Sequence, residues 1–194
     1  GGVGILVDGS AVTRIRRAEL RDNGVAGLWR RNGFLELADS RLHGNGLAVD
    51  NGANLILDRD VSGRVAENAF DGGVGIHCIE TRELVIEDNI LTNHRIGLVS
   101  TSARPQNSGN QFNRIELALR IEGAVVPPRV ELNIFQQSER LLDHTASRPL
   151  TATNNWWGQI DSTWIAARIS GEVRWQPFLN FDPRVPLDFA LGLN

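Results

Sequence analysis

The chain of 194 residues carries 20 basic and 23 acidic residues, and the resulting net charge of −3 argues against a nucleic acid as its main partner. Hydrophobic residues make up 41% of the chain, enough for a sizeable core, but no apolar run approaches the length of a membrane span. Every basic residue is an arginine, so lysine has no part in any catalytic mechanism, and the single cysteine, Cys78, excludes an internal disulfide.

One asparagine followed two residues later by a large apolar residue forms a recurring marker. The marker pairs are Asn68/Phe70, Asn89/Leu91, Asn110/Phe112, Asn133/Phe135 and Asn155/Trp157. Their asparagines lie 21, 21, 23 and 22 residues apart. Two earlier copies have Ala18/Leu20 and Ser40/Leu42 at these positions. A period of this length is typical of solenoids, propellers and repeat arrays.

Each copy opens on a small residue that starts a short run of alternating apolar and polar positions. The openings are Gly4, Gly27, Gly46, Gly75, Gly97 and Ala118. Alternation over a few residues predicts short strands, which can bury a face only when successive turns stack about 4.8 Å apart. The pattern therefore predicts an all-β solenoid of about seven turns. The copy that opens at Gly46 has extra residues, which we place at Leu55–Asp60.

Two columns of side chains are predicted to run through the interior. One column is the large apolar residue of each marker, and the asparagines beside it are predicted to stack as a hydrogen-bonded ladder. The other column lies three residues before the marker and contains Ile15, Leu37, Val65, Ile86 and Val130. Asn107 interrupts this second column, so we expect a bulge in the turn that contains Arg104-Pro105-Gln106.

A short helix is predicted to close the carboxyl end of the solenoid. Asp161, Ser162 and Thr163 are candidates for its N-cap, and Gly171 is a natural stop after it. We expect residues 160–170 to be helical and to pack Ile160, Trp164 and Ile169 over the last turn. The predicted organisation is thus repeats over 1–158, a cap of helix and strand over 159–180, and a tail or linker over 181–194.

This pattern resembles the right-handed parallel β-helix proteins of the pectate-lyase-like superfamily. The G-h-x-h…N-x-[FIL] period covers about residues 2–180, and the segment Asn154-Asn155-Trp156-Trp157-Gly158 resembles the close of the last full turn in secreted bacterial members. Gly171-Glu-Val-Arg-Trp-Gln-Pro-Phe-Leu179 resembles the strand that follows the helix in those proteins. The resemblance implies a right-handed parallel β-helix that is secreted or displayed at a cell surface.

Both ends of the chain favour a processed or partial form of a longer secreted protein. The chain begins at Gly1 with no methionine anywhere. Residues 186–194 resemble the lead-in to a C-terminal sorting domain of secreted bacterial proteins, although a plain apolar tail that packs on the cap is an equal alternative. We therefore expect a further segment, self-assembly or attachment to flanking domains.

The resemblance also directs attention to the outer face of the first sheet, where enzymes of this superfamily hold a sugar polymer. The pattern predicts the inward positions Ile5/Val7, Leu28/Arg30, Leu47/Val49, Ile76/Cys78, Leu98/Ser100 and Leu119/Ile121. Arg30 is a misfit in this row and predicts a slip in register, while an inward Cys78 is expected to be a buried thiol. The outward row is predicted to be Leu6, Trp29, Ala48, His77, Val99 and Arg120, and the row beside it Asp8, Arg31, Asp50, Ile79, Thr101 and Glu122.

These outward rows supply the candidate site residues. Asp50 and His77 fall in adjacent turns and are predicted to form a carboxylate–imidazole pair, and with Arg120 they are the candidate catalytic residues. Trp29 is a candidate platform for a sugar ring, and Arg31 or Arg120 for a sugar carboxylate. Alternating charges along a ladder are equally typical of surface ion pairs. No metal or cofactor is expected, because the four histidines are scattered and methionine is absent.

Two functional classes remain open from the sequence. The calcium-binding Asp cluster, the Lys–Arg pair, the N-T-D, D-D and G-H-G set and the D-P-H motif of enzymes with this fold are all absent. Their absence favours a non-catalytic extracellular module that is structural, adhesive or carbohydrate-binding. The alternative is a lyase or epimerase that acts on an acidic polysaccharide, and a polysaccharide or cell-surface glycan is the expected partner in either case.

Overall fold

The chain folds as a parallel β-solenoid of about eight turns, which confirms the predicted fold class. The structure is a computed structural model that describes residues 2–123 and 128–184. Its single helix within these ranges is α1 Ser162–Ala166. The strands are β1 Val3–Asp8, β2 Val12–Arg16, β3 Glu19–Arg21, β4 Ala26–Ala38, β5 Arg41–His43, β6 Ala53–Ala66, β7 Ala69–Asp71, β8 Val74–Ile79, β9 Leu84–Glu87, β10 Ile90–Thr92, β11 Ile96–Thr101, β12 Gln106–Ser108, β13 Gln111–Asn113, β14 Leu117–Glu122, β15 Arg129–Glu131, β16 Ile134–Gln136, β17 Arg140–His144, β18 Leu150–Thr151, β19 Ile169–Ser170 and β20 Val173–Arg174.

The strands stack in parallel to form three faces around one core. Face one contains β1, the first halves of β4 and β6, and then β8, β11, β14, β17 and β19. Face two contains β2, the second halves of β4 and β6, and then β9, β12 and β15. Face three contains β3, β5, β7, β10, β13 and β16. Since β4 and β6 pass from face one to face two without a break, these two faces form one 12-stranded sheet.

The two predicted interior columns are confirmed. Leu20, Leu42, Phe70, Leu91, Phe112 and Phe135 are direct partners from turn to turn along face three. The rings of Phe112 and Phe135 stack at 5.0 Å, and those of Phe135 and Trp157 at 4.6 Å. The second column runs in register from Ile15 to Val130 on face two. Stacking identical positions lets each turn bury apolar surface that it could not bury alone.

The predicted asparagine ladder is also present, and it is fully hydrogen-bonded. Asn68, Asn89, Asn110, Asn133 and Asn155 are all buried. The Oδ1 atoms of Asn89, Asn110, Asn133 and Asn155 each accept hydrogen bonds from the backbone N–H and the Nδ2 of the asparagine one turn earlier, at 2.9–3.2 Å. The Oδ1 of Asn68 accepts from the backbone N–H of Ser40. Each Nδ2 also donates to backbone carbonyl oxygens at the corner. The ladder satisfies backbone groups that the corner would otherwise leave unpaired in the interior.

The bulge predicted at Asn107 is absent, because this side chain joins the ladder. Asn107 keeps its register with Ile86 on one side and Val130 on the other. Its Oδ1 accepts a hydrogen bond from Nδ2 of Asn110 at 2.6 Å, which satisfies that polar atom inside the core.

Arg30 points inward as its position predicts, and the register slips just after it. The side chain is fully buried between Val7 and Leu57, and its Nη2 donates to the backbone oxygen of Ala11. Burial lowers the pKa of the Arg30 guanidinium below its ordinary value, while Asp8 acts in the opposite direction. The irregularity in pairing with β6 falls between Arg31 and Gly33.

The extra residues of the third turn lie elsewhere than predicted. Residues 46–52 form a loop, and β6 begins at Ala53, which pairs with Ala26. Leu55 and Leu57 therefore occupy the inward positions that the sequence assigns to Leu47 and Val49. The prediction was wrong because Gly46-Leu47-Ala48-Val49 repeats the small-then-apolar opening of the other copies.

A second asparagine row explains why β6 lacks the usual opening glycine. Asn54 is the register partner of Gly27, and its Oδ1 accepts from the backbone N–H and Nδ2 of Asn45. Asn45 in turn accepts from Asn23 in the same way. The Nδ2 of Asn54 donates to the backbone oxygen of Gly72 at 2.9 Å, so the row continues across the insertion.

The carboxyl end departs from the predicted helix and adds the eighth turn. Asp161 accepts from the N–H groups of Thr163 and Trp164, so α1 starts at Ser162 and leaves Ile160 63% exposed outside it. Ile165 is the side chain that α1 buries in the core, whereas Trp164 and Ile169 are half-buried. The short strands β19 and β20 then stack on β17 and β18. Residues 185–194, which include the predicted apolar tail, lie outside the described residues.

No helix within the described ranges is long and apolar enough to cross a membrane.

Candidate functional site

A groove of about 840 Å³ lies on the outer side of face one, where the loop 46–52 rises beside the middle strands. Its floor is formed by outward side chains of β4, β6, β8, β11 and β14, and the loop forms one wall. The polar and charged side chains that line it are Asp50, Asn51, His77, Arg95, Thr101, Arg120 and Glu122. The groove thus lies on the face that the sequence indicates, and it contains four of the five predicted site residues.

The loop 46–52 is fixed at a narrow neck. A Cβ atom on Gly52 would lie 2.3 Å from the backbone oxygen of Gly46, so the two ends of the loop touch in a way that only glycine permits. The N–H of Ala48 donates to the oxygen of Gly24, and that of Gly52 to the oxygen of Val49. The loop therefore presents its side chains from a closed neck beside the groove.

Asp50 does not occupy the row that the sequence assigns to it. The outward row of face one runs Leu6, Trp29, Ile56, His77, Val99 and Arg120, and the row beside it runs Asp8, Arg31, Asp58, Ile79, Thr101 and Glu122. Ile56 and Asp58 thus replace the predicted Ala48 and Asp50. Asp50 is exposed on the loop and lines the same groove as His77.

Asp58 is the residue that the sequence interpretation missed. The segment Leu55-Ile56-Leu57-Asp58 matches the first-turn segment Ile5-Leu6-Val7-Asp8 position by position. This match is the sequence signal that could have located it.

His77 lies at the middle of the floor and is tied to the neighbouring turn. One of its ring nitrogens, Nε2, lies 3.3 Å from Oγ1 of Thr101. Burial lowers the pKa of His77 below its ordinary value of 6.5, and the charges of Glu122 and Asp58 oppose this shift. Because its pKa is lowered, the His77 imidazole is neutral near pH 7. The carboxylates whose charges act on it are those of Glu122 and Asp58.

The arginines of the groove differ in their partners. Arg120 lies between two carboxylates, with its Nε 3.8 Å from Glu122 and 3.9 Å from Asp143. Arg95 is exposed and forms no ion pair with any residue in the described ranges. A ligand could therefore recruit Arg95 without first breaking an existing pair.

Trp29 lines the groove, but Arg31 does not. The guanidinium carbon of Arg31 sits 4.3 Å from the centre of the Trp29 ring, and its Nε lies 3.7 Å from a carboxylate oxygen of Asp58. Arg31 thus covers one face of the indole through a cation–π contact. Asp8, Arg31 and Asp58 are register partners in successive turns, so the charges alternate in sign along this row. This is the pattern of surface ion pairs that the sequence offered as the alternative to a binding site.

A second apolar cluster underlies the groove, separate from the main core. It contains Ala26, Ala53, Ile56, Val74, Ile96, Val99 and Leu117, with Val3, Trp29 and Ile79 packed at its edge. Two apolar side chains of the loop stand beside it, since Leu47 is 68% exposed and Val49 is 46% exposed. The groove therefore has a buried aliphatic cluster beneath it, an apolar wall formed by the loop and charged side chains along its rim.

The chemical capacity of this arrangement follows from its contacts. Among the described residues, His77 hydrogen-bonds to a hydroxyl and not to a carboxylate. Within residues 2–123 and 128–184 no three or more His, Cys, Asp or Glu side chains group closely enough to hold a metal ion. The groups present can donate and accept hydrogen bonds, pair with a charged ligand and cover apolar surface.

Comparison of this chain with protein-family models, with curated proteins and with solved structures found no match.

Proposed function

We propose that this chain is a non-catalytic binding module that holds a glycan chain in the groove of face one. The observation that carries the proposal is that His77, Arg120 and the neighbouring Arg31 already contact other side chains of the protein. Arg120 lies near Glu122 and Asp143, Arg31 near Asp58, and His77 near Thr101. Groups held in this way can orient a ligand, but none is paired as an acid–base set for catalysis.

The proposal places the module outside the cell, as a structural, adhesive or carbohydrate-binding segment of a larger secreted protein. Its support is the resemblance of the repeat pattern to that of secreted β-helix proteins and a groove whose lining comes from several stacked turns. Polar rims with an aromatic platform suit sugars, which present hydroxyls on their edges and C–H groups on their faces.

A glycan array tests the proposal directly. We expect the labelled chain to bind a defined set of glycans, and Arg95→Ala to weaken this binding. Arg129→Ala is the matched control, because Arg129 is an exposed arginine on face two that pairs with Glu131 at 2.8 Å. Equal loss in both variants, or no binding to any glycan, would contradict the proposed function.

A second candidate is a lyase or epimerase of an acidic polysaccharide, because His77, Asp50 and Arg120 line the same groove. Such chemistry needs a base at the sugar carbon that loses its proton and a cation that neutralises the uronate. An ultraviolet assay for unsaturated uronate, run on pectate, alginate and hyaluronan, tests the lyase. Turnover that His77→Ala abolishes would replace the binding proposal with this one.

A further inference from the structure

The wall of the groove presents apolar surface at a fixed place. Leu47 and Val49 are exposed on the loop 46–52, whereas Leu55 and Leu57, which take the inward positions of this turn, are buried in the core. A Cβ atom on Gly73 would lie 3.0 Å from Cδ2 of Leu47, so this side chain rests directly against the next turn. Two exposed apolar side chains in a fixed position beside a polar groove can contact the apolar part of a bound ligand.

The charged groups beside this apolar pair are mixed in sign. Arg95 and Arg120 supply hydrogen-bond donors, whereas Asp50 and Glu122 supply acceptors. Glu122 is already near Arg120, so Arg95 and Asp50 are the lining charges that form no ion pair among the described residues. A ligand that needs one donor and one acceptor suits this pair better than a polyanion, which Asp50 would repel.

An acetamido group has these three properties together. Its methyl group is apolar, its carbonyl oxygen accepts a hydrogen bond and its N–H donates one. Leu47 and Val49 would cover the methyl group, Arg95 would donate to the carbonyl oxygen, and Asp50 would accept from the N–H.

We infer that the groove is selective for glycans that carry N-acetylated amino sugars. This inference rests on the proposed function, since it names the class of glycan that the groove holds. It also gives the inserted loop a role, because Leu47, Val49 and Asp50 all belong to it. Specificity then lies in the loop, and the floor of face one supports the sugar rings.

Two oligosaccharides of equal length separate the contribution of the acetamido group from that of the sugar backbone. An oligomer of β-linked N-acetylglucosamine differs from the matching glucose oligomer only by having an acetamido group in place of one hydroxyl per ring. In titration calorimetry we expect the acetylated oligomer to bind at least about tenfold more tightly, the lower end of what a methyl-sized apolar contact contributes to discrimination.

Variants of the loop then test the assignment of its residues. The double variant Leu47→Ser with Val49→Ser, and separately Asp50→Ala, should remove the preference for the acetylated oligomer. Ile160→Ser is the matched control, because Ile160 is a comparably exposed aliphatic residue next to α1 and outside the groove. Asp50→Ala changes only an exposed side chain, so it remains informative if the double variant fails to fold.

The outcomes distinguish this inference from the proposed function on which it rests. Equal binding of the two oligomers, or binding of polyuronates alone, would overturn the acetamido assignment and leave a glycan-binding module. A preference that survives both loop variants would also overturn the assignment. Failure to bind any oligosaccharide or polyuronate would overturn both proposals.

Discussion

Replacing one asparagine of the ladder should destabilise the fold as much as removing an aromatic ring from its core. In Asn110→Ala the lost Oδ1 no longer accepts from the backbone N–H and Nδ2 of Asn89, at 3.0 and 2.9 Å. The lost Nδ2 has acceptors on Ile86, Ser108, Asn107 and Asn133 within 3.2 Å, and its two hydrogens can serve two of them at once. About four hydrogen bonds therefore disappear with this side chain.

The expected magnitude follows from the burial of these groups. A typical internal hydrogen bond contributes about 1 kcal/mol net, so four of them amount to about 4 kcal/mol. The Asn89 N–H is then left without a partner in the interior, which adds to the cost. We expect Asn110→Ala to lower the free energy of unfolding by about 3–5 kcal/mol, the range expected for Phe112→Ala in the neighbouring column.

Equilibrium unfolding in urea measures both variants against a control from the same turn. Asn113 is half-buried, and its Oδ1 has no hydrogen-bond partner among the described residues, so Asn113→Ala should change stability by no more than about 0.5 kcal/mol. The slope of the free energy against urea should stay constant across the set. A loss below about 1 kcal/mol for Asn110→Ala, alongside the full loss for Phe112→Ala, would refute the reasoning from the ladder.

Three further predictions concern single groups. Burial raises the pKa of the Cys78 thiol to about 12, so a thiol reagent should modify Cys78 only after denaturation. Burial lowers the pKa of His94 below 6.5, so the folded chain binds this proton less readily than the unfolded chain. The free energy of unfolding should therefore be highest above pH 6.5 and fall as the pH drops below 6.5. Urea titrations at several pH values should show a smaller fall for His94→Asn. Asp161→Ala removes the N-cap of α1 and should cost about 1 kcal/mol in thermal unfolding, whereas Ser162→Ala should cost little.

The columns of the solenoid could be predicted from the sequence because their physics repeats in every turn. A buried amide at the corner must find partners in the turns before and after it, and Asn89, Asn110 and Asn133 supply these partners to one another. A large apolar side chain two residues later must meet its equivalents, as Phe112 meets Phe135. Each constraint leaves the same residue type at the same spacing, which is what a period in the sequence records.

The groove was harder to predict because it depends on a departure from the period. Gly46-Leu47-Ala48-Val49 has the composition of a strand opening, yet Ala53-Asn54-Leu55 is the segment that pairs with the turn before. The difference is decided by Asn54, whose side chain continues a hydrogen-bonded row with Asn45 that no local pattern reveals. As a result Asp58, and not Asp50, stands in the outer row of face one beside Arg31.

The contents of the rim depend on the same insertion. Arg95, which the sequence interpretation did not select, lines the groove together with the loop 46–52. The path of a single loop that does not repeat leaves no periodic signal, so the neighbours of such a loop are visible only in the structure.

Because the neck of the loop 46–52 is closed, the residues of the loop that take part in binding can change without a change in the fold. Gly46 and Gly52 touch, so residues between them can be exchanged or added while the strands on either side keep their partners. Doubling the length of a flexible loop costs only about 0.6 kcal/mol in closure entropy. A lineage that carries this scaffold could therefore acquire new ligands by changing one short peptide, and the same position is a natural point for grafting recognition sequences in the laboratory.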